Sequence, residues 1–164
     1  MADRRLTLLF VAGACVALVV LVAALLTRSS GAAKPTAQAP GAIHVASSKY
    51  GPILVDARDH TLYLFLADAH GRSTCDGSCA KVWPPLRASA RTKAGTGVSP
   101  QLLVTVRRAD GTSQVMYHGH PLYTMVADKA PKQMAGQAFL GTWFVVSPHG
   151  NPVTGGVKPS KGDY

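Results

Sequence analysis

Large apolar side chains are distributed along this chain in three patterns, and each predicts a different element. The first is continuous: residues 6–27 form a run of twenty-two with no charge and very few polar side chains. The second alternates. In "TLYLFLAD", residues 61–68, Leu62, Leu64 and Leu66 fall on one face of an extended strand and Tyr63 and Phe65 on the other. Both faces are apolar, which predicts a central strand covered on both sides. The third pattern is sparseness. Residues 28–42, "RSSGAAKPTAQAPGA", and residues 151–164 carry too few large apolar groups to offset the entropy of ordering them, which predicts a flexible linker and a disordered tail.

The alternating run returns sixty residues later as "PLYTMVAD", residues 121–128. The same offset pairs Val55 with Val115, His60 with His120, Tyr63 with Tyr123, Asp68 with Asp128 and Trp83 with Trp143. A period of this length that occurs only twice reads as a duplicated half-domain, not an open solenoid. In each copy two short β-rich runs precede the repeated segment: "AIHVAS" and "PILVD", then "LLVTVR" and "SQVMY". Ala109-Asp110-Gly111 and His118-Gly119-His120 supply residues tolerant of positive φ at the turns of the second copy. A later strand is predicted at "TWFVVS" and a single helical turn near Cys79 to Val82. Pro84 and Pro85 keep the region of Trp83 from extending as an interior strand. Beyond the first run no segment keeps apolar spacings of three and four for more than two turns.

The predicted fold is therefore all-β, a duplicated antiparallel meander forming one sandwich- or barrel-like domain, preceded by a single transmembrane helix. Its expected boundaries are an anchor or signal segment at 1–27, a linker at 28–42, the domain at 43–150 with copies at about 43–86 and 101–148, and the tail at 151–164.

As a helix, the first run measures roughly 33 Å, enough to cross a bilayer core. A cleaved signal peptide has a shorter apolar region of roughly 7–15 residues, so the length favours an uncleaved anchor behind Arg4 and Arg5. Cleavage is one alternative. Lipidation at Cys15, after "VAGA", is another, although Ala12 stands three residues before it. An anchor places the domain on the outer face of the cell membrane, with Arg28 and Lys34 making the charge asymmetry across the run modest.

Charge narrows the partners. From residue 42 onward there are thirteen Lys or Arg against seven Asp, and the chain has no Glu. Such a surface suits anionic lipid headgroups or acidic wall polymers. The basic residues are scattered and do not form a stripe interleaved with aromatics, which argues against nucleic acid.

Candidate chemistry is sparse. Cys75 and Cys79 are the only cysteines outside the first run, and in an oxidising compartment they are expected to pair across "DGS", whose Gly lets the loop bend back. Their spacing matches neither the redox C-x-x-C nor the haem-attaching C-x-x-C-H. Asp68 opens Asp68-Ala69-His70-Gly71, with the residue preferences of a type I turn, and Asp128 holds the same place in its copy; a shared ligand or metal role and ion pairs with nearby Lys or Arg are the alternatives. Met116, His118 and His120, with Met125 close by, combine soft sulfur with imidazole in a set that would suit copper, whereas Gly119 and Pro121 argue for a surface turn. There is no nucleophile elbow, phosphate loop, H-E-x-x-H or close acidic pair. The expectation is a non-catalytic binding or scaffolding module without a cofactor, the alternative being a metal-handling or redox protein of the envelope.

"YLFLAD", residues 63–68, resembles the Tyr-x-(Phe/Trp/Tyr)-x-x-Asp signature of a bacterial family described as predicted lipoproteins, or the secreted repeat of unknown function. "CDGSCAKVWPPL", "DGTSQVMYHGHPLY" and "GTWFVVSPHG" resemble further blocks of the same family, the cysteine-to-proline block being the most specific. The resemblance covers about residues 50–150 and implies an exported, membrane-tethered, duplicated domain. Its signature residues here are Tyr63, Phe65, Asp68, Trp83, Tyr123, Asp128 and Trp143. Met125 stands where the second copy would carry the signature aromatic, and Asp59 where these proteins tend to have Gly.

Overall fold

A computed structural model describes residues 41–155. The anchor segment, Cys15, most of the linker and the end of the tail lie outside the described residues. Among the described residues no helix is long and apolar enough to cross a membrane.

Eight short strands carry the architecture: β1 (Ala42–Ser48), β2 (Gly51–Val55), β3 (Tyr63–Phe65), β4 (Lys93–Ala94), β5 (Leu103–Arg107), β6 (Ser113–Tyr117), β7 (His120–Pro121) and β8 (Trp143–Val145). The only α-helix described, α1 (Ser78–Val82), is the predicted single turn, and Pro100–Leu102 forms a 3-10 turn. The strands make three sheets, ordered β2-β1-β4, β3-β8 and β5-β6-β7. All-β duplication holds, while the expected single barrel or sandwich is replaced by three small open sheets stitched through isolated bridges. The physical reason is local. Pro84 and Pro85 have no N–H to donate to a ladder, so the pairing there is reduced to a single bridge, and "PLYTMVAD" contributes only Pro121 of β7 and the bridging Tyr123 where its counterpart forms β3.

The stitching joins the copies reciprocally. Tyr63 and Tyr123 exchange both backbone N–H···O=C bonds at 2.9 Å, which places the pseudo-two-fold axis between them. β3 of the first copy pairs antiparallel with β8 of the second, Tyr63 opposite Val145. Sixty residues on from Tyr63 and sixty back from Val145, Tyr123 bridges Pro85. The outer bonds repeat the symmetry: Leu66 N–H donates to Thr142 and Val126 N–H to Val82, Val146 N–H to Leu62 and Leu86 N–H to Leu122. Each copy thus closes its repeated segment with the tryptophan segment of the other.

β3 lies between two buried clusters, as its two apolar faces require. Tyr63 and Phe65 face one, with Trp83, Tyr123, Met125 and Trp143; Leu62 and Leu64 face the other, with Leu54, Val115, Tyr117 and Leu122. Each large side chain so buried is worth roughly 1.5–3 kcal/mol in transfer terms. Leu66 departs from the expected alternation and is 48% exposed, because the chain has already turned there, Asp68 N–H bonding the Phe65 carbonyl.

Two boundaries shift. β1 begins at Ala42, inside the expected linker. Residues 151–153, expected in the tail, are held against the end of β8: Val153 N–H donates to Val145, and Gln137 takes Val145 N–H while donating to the Val153 carbonyl.

Candidate functional site: a crossed tyrosine–aspartate core

The signature side chains are gathered by the exchange just described. Tyr63 sits on β3 and Tyr123 directly across from it; neither ring is accessible. Each phenol crosses to the other copy, Tyr63 Oη donating to Asp128 Oδ2 and Tyr123 Oη to Asp68 Oδ2, both at 2.6 Å. The second carboxylate oxygen closes the loop that follows it. Asp68 Oδ1 accepts Thr74 N–H at 2.7 Å and the Thr74 hydroxyl at 3.0 Å, while Asp128 Oδ1 accepts Ala135 N–H at 2.9 Å. This replaces the expected type I turn at Asp68. The tight turn lies one residue later, with His70 and Gly71 at φ 53° and 69°, and the carboxylate spans it. Both signature acids therefore do accept a backbone N–H beyond the repeated segment, but over six and seven residues and for the benefit of a partner phenol.

Under the phenols lies an aromatic stack. Trp83 and Trp143 are parallel, centroids 3.9 Å apart and 3° between planes, and Phe65 stacks on Trp143 at 4.2 Å. Tyr63 meets Trp83 edge-on and Tyr123 meets Trp143 likewise, at 5.3 and 5.1 Å. Such geometries add about 0.5–1.5 kcal/mol per pair beyond area. Met125, the residue that breaks the signature, occupies the place related to Phe65. Gly136 leaves it room: a Cβ at that position would lie 2.9 Å from Met125 Sδ and would overlap the Trp83 indole. A thioether fills the same buried cluster where the first copy contributes a ring.

Burial governs the electrostatics. It pushes the Tyr123 phenol well above its ordinary range, helped by the Asp68 carboxylate that accepts its proton, so the phenol remains a donor. It also raises the Asp128 carboxyl, only partly offset by the Tyr63 phenol, the Ala135 N–H and the charge of His60. His120 is lowered by desolvation and then by His118, with Asp68 opposing. His60 and His120 thus each approach the acid of the other copy, as the tyrosines do. Asp128 lines a shallow depression of about 340 Å³ with His60, Thr61, Thr124 and Lys129, in which no second carboxylate appears. Both Asp128 oxygens already accept hydrogen bonds, and a glycosidase needs two carboxyl groups about 5–9.5 Å apart.

Cys75 and Cys79 form the expected disulfide, their Cα atoms 5.2 Å apart, with Gly77 at φ 54° in the loop between them. Met116, His118 and His120 lie at the β6–β7 hairpin. His118 and Gly119, at φ 50° and 82°, are the central residues of a type I′ hairpin turn between β6 and β7. His118 packs on Gly150, Met116 is buried against the Gly71 turn, and His120 is half-buried towards Asp68. Among the described residues no three His, Cys, Asp or Glu side chains are grouped to hold a metal. Asp59 adopts φ 64°, a left-handed backbone conformation that Asp tolerates, and its carboxylate takes His44 Nε2 at 2.8 Å.

Sequence reasoning missed Arg108. Its buried guanidinium donates through Nη1 to Ser73 Oγ and Gln114 Oε1 and through Nη2 to the Cys75 carbonyl and Asp76 Oδ1, while Nε faces Asp110 Oδ2 at 3.6 Å without a hydrogen bond. Because Ser73 Oγ also bonds the Tyr123 phenol at 2.7 Å, Arg108 ties the disulfide loop to the crossed core. The readable signal was Gln114, a polar residue at the position where the first copy has Leu54.

Neither a curated protein nor a solved structure matches this chain. A family model described as a secreted repeat of unknown function matches twice, over residues 44–87 and 104–147, together more than half of the chain. The two matches coincide with the two interlocked copies, so the chain belongs to the secreted-repeat family and is an extracytoplasmic module built from a pair of its repeats.

Proposed function

We propose that this protein is a non-catalytic binding or scaffolding module of the cell envelope, tethered to the membrane by its N-terminal apolar run and acting through its basic exterior on anionic wall polymers or lipid headgroups. The observation that carries this reading is that the family signature is spent on the fold. Tyr63, Tyr123, Asp68 and Asp128 bond one another, and Trp83, Trp143 and Phe65 stack together, so the signature groups are engaged mainly with each other. Recognition then falls to the surface, whose excess of Lys and Arg over Asp favours polyanions.

The test is retention of the full-length protein, in neutral detergent, on isolated envelope fragments. Binding at low salt that weakens severalfold between about 50 and 500 mM salt is expected, since screening shortens the reach of exposed charges. No retention at low salt overturns the reading. Stoichiometric uptake of copper or zinc at micromolar metal would replace it with metal handling. Intact mass of the membrane-extracted protein tests the tether, distinguishing the full-length form from one clipped after the apolar run or acylated at Cys15.

A further inference from the structure

We infer that the groove beside Gly41 is an anion site for a phosphodiester group, built by Arg58, Arg87 and Arg91; this rests on the envelope-binding reading and locates it on the surface. The groove encloses about 450 Å³, within the range of small-ligand sites. Three separate segments bring the arginines to it. Arg58 stands in the β2–β3 connection, Arg87 on an extended segment bridged to Gln114, and Arg91 in the loop before β4.

Each segment is held by its own backbone bonds. Asp56 Oδ1 accepts the N–H groups of Arg58 and His60, Ala88 N–H donates to Ser113, and Ser89 and Thr92 tie the 89–92 loop through Ser89 N–H to Thr92 Oγ1 and Arg91 N–H to Ser89 Oγ. The side chains of all three arginines are left for solvent, and among the described residues none forms an ion pair. Arg87 adds only the weakest of the influences that lower the Asp110 carboxyl.

Asp56 is the single acid lining the groove, and its charge is already engaged by its own turn and by His60 Nδ1 at 3.4 Å. Ile43 and Leu86 supply apolar wall. Three guanidinium forks against one acid around a part-apolar hollow favour an anionic ligand, and the two non-bridging oxygens of a phosphodiester can accept from more than one fork. Gly41 lines the groove against Arg91, a Cβ there falling 2.5 Å from the Arg91 carbonyl oxygen.

The experiment uses full-length protein in neutral detergent micelles, titrated with soluble poly(glycerol phosphate). A variant carrying Arg58→Gln, Arg87→Gln and Arg91→Gln should bind at least tenfold more weakly, whereas Lys49→Gln, Arg72→Gln and Lys129→Gln together, an equal charge loss elsewhere, should change affinity less than threefold. All six side chains are exposed, so both variants should keep the parent melting temperature. A second arm dopes the micelles with phosphatidylglycerol and follows protection of the three arginines from phenylglyoxal by mass spectrometry. Protection without polymer binding identifies a lipid headgroup as the source of the same phosphodiester. Equal weakening in both variants, or neither polymer binding nor protection while the protein is still retained on envelopes, overturns the groove and leaves the broader reading intact. Loss of envelope retention itself overturns both.

Discussion

A phenol at 2.6 Å from a carboxylate of the other copy is the unit from which this molecule is assembled. Removing either phenol leaves a half-buried carboxylate without its charge-assisted donor. Tyr63→Phe and Tyr123→Phe should each cost about 1.5–3 kcal/mol in urea unfolding. Because the two bonds share one axis and one aromatic stack, the double variant should depart from the sum of the singles by about 0.5 kcal/mol or more. Strict additivity would show that the two crossings act separately. Asp128 permits a test in pH. Its folded carboxyl is raised above the ordinary 3.8, so the fold favours the protonated form. The stability it contributes is fully present below that ordinary value and is lost as pH rises through the raised one. Wild type should therefore lose stability relative to Asp128→Asn as pH increases from about 4 upward; a difference independent of pH contradicts the assignment.

Among the elements, β3 and the disulfide loop show how local pattern and long-range contact combine. Alternation in "TLYLFLAD" predicted a strand with two buried faces, and residues 62–64 are indeed inaccessible on both. Its exit was not legible, because the turn that exposes Leu66 depends on an acid whose partners are Thr74 and the distant Tyr123. The Cys75–Cys79 bond closes a short loop with a sequence separation of 4, for which chain entropy suggests about 2 kcal/mol. Replacing both cysteines with serine should lower stability by about that amount and loosen the Arg108 cluster, which leans on the Cys75 carbonyl. In the native protein, alkylation should find neither thiol until reductant is added. Labelling without reductant would remove the staple.

For the whole molecule the exchange between copies sets the folding unit. A chain cut between residues 98 and 99 leaves β3 without β8 and Trp83 without Trp143, so residues 41–98 should show no cooperative unfolding alone and should regain it when mixed with residues 99–155. A cooperative monomeric transition of the first fragment would show that each repeat is self-sufficient. Met125 and Gly136 mark where the symmetry is broken, the thioether and the missing Cβ adjusting to one another across the stack.

The sequence by itself determined what depends on neighbours along the chain and on spacing: the alternation that makes β3, the residues that turn at His118-Gly119, the closeness of the two cysteines, and a period of sixty that announces two copies. It also marked the tyrosines, aspartates and tryptophans of the crossed core, since each recurs at that offset. Only the tertiary structure decided who pairs with whom. A period says that two segments are alike, and it carries no sign of whether a phenol bonds the acid of its own copy or of the other, because both leave the same spacing in the chain. For the same reason nothing in the chain singled out Arg108, around which Ser73, Gln114 and Asp76 close only in the fold, and three arginines separated by up to thirty-three positions gave no hint of a common groove.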